Sequence, residues 1–159
     1  MAPTLEEVVY DLAREALDEQ REVVASLRSR AAPVLAGAGA LAALLAKPAI
    51  GDGLSFAQHP AHAALVCVGI LGAVGALLGA ILVLATRDFG FSVDVEHLYE
   101  AAFPDRQEPE VFLLRIAESH RQRRVQNRDG VLALQRFLVA GLLGVVLEVT
   151  GFATALALH

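Results

Sequence analysis

The chain has no tryptophan and only two tyrosines. The aromatic belt that anchors many membrane proteins at the lipid–water boundary is therefore thin. A single cysteine, Cys67, excludes a disulfide within the chain. The net charge of −5 carries no basic excess, so there is no nucleic-acid footprint. No nucleophile with an adjacent base, no metal-ligand set and no cofactor motif is present, which argues against an enzyme and against a bound metal or cofactor. The opening 30 residues are charged and lack a short apolar run, which argues against a signal peptide. The most telling shortage is of charge itself. Residues 31–46, 63–86 and 137–158 hold one charged side chain between them, Glu148.

Those three blocks are what the chain has instead. At 159 residues and 55% hydrophobic it is too apolar for an ordinary soluble domain. The last block, FLVAGLLGVVLEVTGFATALAL, is long enough as a helix to cross a hydrocarbon core of about 30 Å, and Arg136 stands at its entrance. Phe137, Gly141, Gly144, Glu148, Gly151 and Ala155 fall on one face at steps of four and three. A charged side chain at the centre of a membrane helix costs about 2.5–3.5 kcal/mol, so Glu148 should face protein or water. As a neutral acid it could hydrogen-bond to Thr150, to Thr154 or to a backbone carbonyl. It could also line a pore or proton path. The glycines should mark a helix–helix contact, which we expect to lie between subunits.

The chain begins with Thr4 and Glu7 at capping-box spacing. Leu5, Val9, Leu12, Ala16, Val23 and Leu27 then recur at helical intervals, with acids on the other faces. Residues 1–30 read as a cytosolic amphipathic helix that continues into a first span, 31–49, with a possible bend at Pro33. That span is short, and its face of Ala32, Ala36, Gly39, Ala43 and Ala46 suits close approach to another helix. A connecting loop from Pro48 to His62 contains His59, His62 and Asp52, without a third well-spaced ligand for a metal. The second span, 62–87, has a small face of Gly69, Gly72, Ala76 and Gly79, and Gly75 with Gly79 forms GxxxG.

Residues 88–130 read as a cytosolic helical segment. A short helix over 92–103 is followed by a turn at 105–108. A second helix, with Pro109 at its first position, either runs directly into the third span, 131–158, or breaks at Gly130, its one candidate break. Arg121, Arg123, Arg124 and Arg128, with Arg136 beyond, form a basic juxtamembrane patch. Its candidate partners are anionic lipid headgroups, the acids of the first helix, or a phosphate. Of the 13 basic residues, 12 lie in residues 1–30 or 87–136, and Lys47 is the other. The positive-inside rule then places the N-terminus in the cytoplasm and the chain in the plasma membrane. The expected fold is all-α: an integral membrane protein with three transmembrane helices and a cytosolic layer of amphipathic helices. In that layer Leu12, Leu27 and Ile116 should join the first helix to the one after Pro109.

The charged helix LAREALDEQREVVASLRSRA, leading straight into a span, then a hairpin and a helical polar segment, resembles small actinobacterial membrane proteins. More distantly it is similar to the SLATT and Pycsar-type transmembrane effector modules of bacterial antiphage systems. The third span departs from their two-span pattern. The resemblance implies an oligomeric module that perturbs the membrane when triggered. Two functional classes fit the sequence: a self-associating effector or pore-like module, and a structural or accessory subunit docked on partner membrane proteins. Three spans lack the paired halves of usual carriers.

Overall fold

The protein is described by a computed structural model, which covers residues 3–50, 59–85, 89–91 and 109–158. The loop residues 51–58, the end of the second span at 86–87, the short helix expected over 92–103 and the turn at 105–108 lie outside the described residues. All regular structure among the described residues is helical: α1 (Leu5–Ile50), α2 (Pro60–Leu84) and α3 (Pro109–Ala157). Each of the three contains a stretch long and apolar enough to cross a membrane, which fits a multi-pass membrane protein.

One boundary differs from the sequence reading, and one alternative it left open is decided. Pro48 belongs to α1, which carries both Pro33 and Pro48 and ends only at Ile50. α3 runs through Gly130 without a break. Long flanking runs of helix-forming residues outweigh one glycine, which costs about 1 kcal/mol relative to alanine. Pro60 occupies the first turn of α2, where its missing N–H leaves no bond unmade.

The residues group into two compact units. The first comprises residues 1–25 and 87–132. Its start is fixed by a reciprocal cap: the Thr4 amide donates to Glu7 at 2.9 Å, and the Glu7 amide donates to the Thr4 hydroxyl at 3.3 Å. Along α1 the inward stripe is Tyr10, Ala13, Leu17, Gln20 and Val24, at alternating steps of three and four. Leu17 and Val24 are buried here, as are Ile116 and Ala117 of α3. Gln20 donates to the Arg124 carbonyl at 3.2 Å, and the rings of Tyr10 and His120 meet edge-on at 6.0 Å. Leu12 does not take part in this packing. It is 60% exposed because it lies roughly 140° around the helix from Leu17 at about 100° per residue. Ile116 is buried as expected, whereas Leu27 is buried among the residues of the second unit.

The second unit comprises residues 26–86 and 133–159. α1 contributes Leu27, Ala31, Ala38 and Ala49 to its interior. Ala49 packs with Val66, Phe152 and Ala155, flanked by Leu45, Ala46, Ile50, Leu65 and Leu156. The outward faces of α2 and α3 are bulky and apolar, with Leu71, Leu78, Ile81, Val139, Leu143 and Val146 exposed. In water such a surface would be a liability. Against lipid tails it is the expected exterior.

Candidate functional site: a buried carboxyl in a glycine seam

α2 and α3 meet antiparallel in the second unit, and glycine decides how closely. A Cβ added at Gly144 would sit 2.5 Å from the Ala76 nitrogen and 2.7 Å from the Gly72 oxygen. One added at Gly72 would strike the Glu148 backbone nitrogen and lie 2.7 Å from the Gly144 oxygen. At the next levels Gly151 stands against Gly69, and Gly79 against Gly141 and the Phe137 carbonyl. Real Cβ atoms do not approach backbone this closely, so the two helices are in backbone contact along the seam. Such contacts maximise dispersion where lipid gives helices no hydrophobic reason to associate.

All but one of the glycines singled out in α2 and α3 have a place in this arrangement. Gly69, Gly72, Gly79, Gly141, Gly144 and Gly151 are buried in the seam. Gly75 is not part of it: nothing lies within 4 Å of its Cβ position. The contact is made inside one chain, by α2 against α3, where the sequence reading favoured a contact between subunits.

Glu148 sits in the middle of the seam. Its residue exposure is 0%, and neither carboxylate oxygen has a hydrogen-bond partner. The two threonines expected to serve it do not. The Thr150 hydroxyl donates to the Val146 carbonyl at 2.7 Å, and both Thr150 and Thr154 are exposed on another face. A hydroxyl four residues from a carbonyl on its own helix satisfies itself locally, which takes Thr150 out of competition for Glu148. Phe152, one turn on, closes the site from that side and fills the space in front of Gly69. Two turns on, His62 Nδ1 lies 3.2 Å from the Ala155 carbonyl, so the tautomer that donates from Nδ1 suits this position. His59 is exposed at the start of α2. Among the described residues no three His, Cys, Asp or Glu side chains converge on a common point.

The basic patch lies elsewhere. Arg121, Arg124 and Arg128, in the first unit, are exposed, as is Arg136 in the second. Arg121 pairs with Glu118 on its own helix at 3.5 Å, an exposed contact worth little. Arg123 is half-buried, with its guanidinium over the backbone of Gly90. Asn127 and Gly130 line the same strip; no sequence signal marked Asn127, and Gly130 stood out only as a candidate helix break. Asn127 donates to the Gly90 carbonyl at 3.2 Å, and the absent side chain of Gly130 leaves room for the ring of Phe89. Arg121, Arg123, Arg124 and Arg128 make no ion pair with the acids of α1 among the described residues. The arginines that point outward are thus open to an external anion.

No family model, no curated protein and no solved structure matches this chain.

Proposed function

We propose that the chain is a non-enzymatic, oligomeric membrane effector, a pore-like module whose three-helix units associate side by side in the plasma membrane. The observation that carries this reading is the unused small face of α1. Ala32, Ala36 and Ala40 recur every four residues and are exposed, with Gly39 and Ala43 beside them. Nothing lies within 4 Å of the Cβ position of Gly39. The seam glycines of α2 and α3 are already consumed inside the chain, so this face is the longest small-residue stripe left among the described residues for another helix to approach. A small-xxx-small stripe is self-complementary, and a two-fold axis lets the same patch serve both partners. A second copy is therefore its natural occupant. The basic residues support an orientation with the N-terminus in the cytoplasm, where Arg121, Arg124, Arg128 and Arg136 would meet anionic headgroups. The resemblance to antiphage transmembrane effectors supports membrane perturbation as the output.

The test is the mass of the detergent-solubilised particle, with dye release from loaded anionic vesicles as the activity. A homo-oligomer that Ala36→Leu reduces to a monomer, with loss of dye release, supports the reading. A monomer that copurifies with other membrane proteins would instead make the chain an accessory subunit.

A further inference from the structure

We propose that Glu148 is a proton-binding site built into the core of the membrane unit, with the bound proton holding the α2–α3 seam closed. The residue is fully buried, neither carboxyl oxygen has a donor or acceptor among the described residues, and its backbone lies against Gly72 in the stretch where α2 and α3 are in backbone contact. An ionised carboxylate in that position has neither solvent nor a counter-charge, and burying one in an apolar medium is far more costly than burying the neutral acid. The closed seam is therefore the protonated state.

The surroundings contain no substitute for the proton. α2 carries no charged residue, and its titratable groups are His62, engaged at the Ala155 carbonyl, and the half-exposed Cys67. Over residues 31–50 of α1 the one charge is Lys47, which is exposed. Residues 137–158 of α3 hold no second charge. On losing its proton, Glu148 must gain water or a small cation. With the residue fully buried, neither can reach it unless the packing around it, of which the α2–α3 seam is part, opens. Protonation and helix packing are thereby coupled at one residue. Nothing in this coupling requires a second chain, so it stands whether or not the units associate.

The test uses the full chain in lipid nanodiscs. At pH 7, infrared spectroscopy should show a protonated-carboxyl carbonyl band that Glu148→Gln removes. A hydrophobic carbodiimide, which reacts with protonated carboxyls in apolar surroundings, should add once to the parent, and peptide mapping should place the adduct on Glu148. Raising the pH past the transition should reduce labelling about tenfold per unit, as the neutral fraction falls. The thermal midpoint of the parent should drop over the same interval, while that of Glu148→Gln stays level. Excess sodium at constant pH should leave labelling unchanged; protection by sodium would make this a cation site and overturn the proposal. A parent lacking the carbonyl band and the adduct at pH 7 would overturn it as well. Infrared and mapping on the parent alone keep the test decisive even if Glu148→Gln fails to fold.

Discussion

The two units of this protein solve the problem of packing helices in opposite ways. In the first, the contact is made by side-chain bulk: Leu17 and Val24 of α1, Ile116 of α3, and the ring pair Tyr10 and His120. Its exterior is rich in charge, and burying a leucine there is worth about 1.5–3 kcal/mol of transfer from water. In the second, the contact between α2 and α3 is made by the lack of bulk. Gly72 and Gly144 bring backbones together, while many of the large apolar side chains, Leu71, Leu78, Ile81, Leu143 and Val146 among them, are turned outward. When the surrounding medium is as apolar as the side chains, turning leucine inward gains little, and close approach becomes the available source of attraction. One continuous helix, α3, obeys both rules along its length, with Ile116 and Ala117 buried near one end and Gly141, Gly144 and Gly151 near the other.

The contrast can be broken most severely at Gly144. Gly144→Leu places a branched side chain where even a Cβ would sit 2.5 Å from the Ala76 nitrogen. Backbone cannot yield by a rotamer change, so the helices must separate. The expected loss exceeds about 3 kcal/mol, above the usual range for overpacking. Thermal unfolding in detergent should show the collapse. A midpoint equal to that of the parent would mean that α2 and α3 are not in backbone contact. Leu17→Ala probes the other rule, since it deletes bulk from a core that depends on it. A loss of about 2–3 kcal/mol is expected, in the range of buried leucine truncations. If Leu17→Ala is neutral, the first unit is not held by side-chain burial and the comparison fails there.

Gly75 sharpens the comparison with a smaller effect of opposite sign. It belongs to the GxxxG pair with Gly79, yet its Cβ position is open. Gly75→Ala should stabilise α2 by about 0.5–1 kcal/mol through helix propensity alone. A destabilisation of similar size would show that Gly75 faces a helix contact in the membrane.

How much of this could be read from sequence follows from the helical period. The three apolar helices are visible as uncharged runs, and the seam face of α3 follows from the spacing of Gly141, Gly144, Glu148 and Gly151. Gly75 misleads because GxxxG fixes the relation of two glycines to each other and not to the partner helix. Gly69, Gly72 and Gly79 fall within roughly 80° of one another, and Gly75 lies roughly 40° beyond Gly79, past the edge of that stripe. Leu12 misleads in the same way: it is apolar, but off the stripe that Leu17 and Val24 share. What spacing cannot supply is the identity of the opposing surface. Nothing in the α3 sequence says that its glycines meet the α2 of the same chain, or that Thr150 satisfies itself at Val146 and leaves Glu148 alone. Phe89 over Gly130 and Asn127 at Gly90 are likewise contacts between distant segments, with no local signature.

The smallest expected effect is a pH dependence confined to the first unit. His120 is half-buried beside Tyr10, and its Nδ1 is buried without a partner. Burial lowers its pKa below the ordinary 6.5. Asp18 opposes that shift, and Arg123 and Arg14 reinforce it. The folded state therefore takes up the proton at lower pH than the unfolded chain does. Well above 6.5 both states are neutral and His120 contributes no pH dependence. As the pH falls through 6.5 the unfolded state binds the proton first, so stability declines until the folded state is protonated too. Denaturation midpoints measured from about pH 7.5 down to about pH 5 should fall more for the parent than for His120→Gln. His59 and His62 are common to both proteins and cancel in the difference. Asp18→Asn should steepen the decline, because it removes the one neighbour that favours the imidazolium. Equal slopes for the parent and His120→Gln would show that His120 titrates as it does in the unfolded chain and that the ring contact with Tyr10 does not shield it from water.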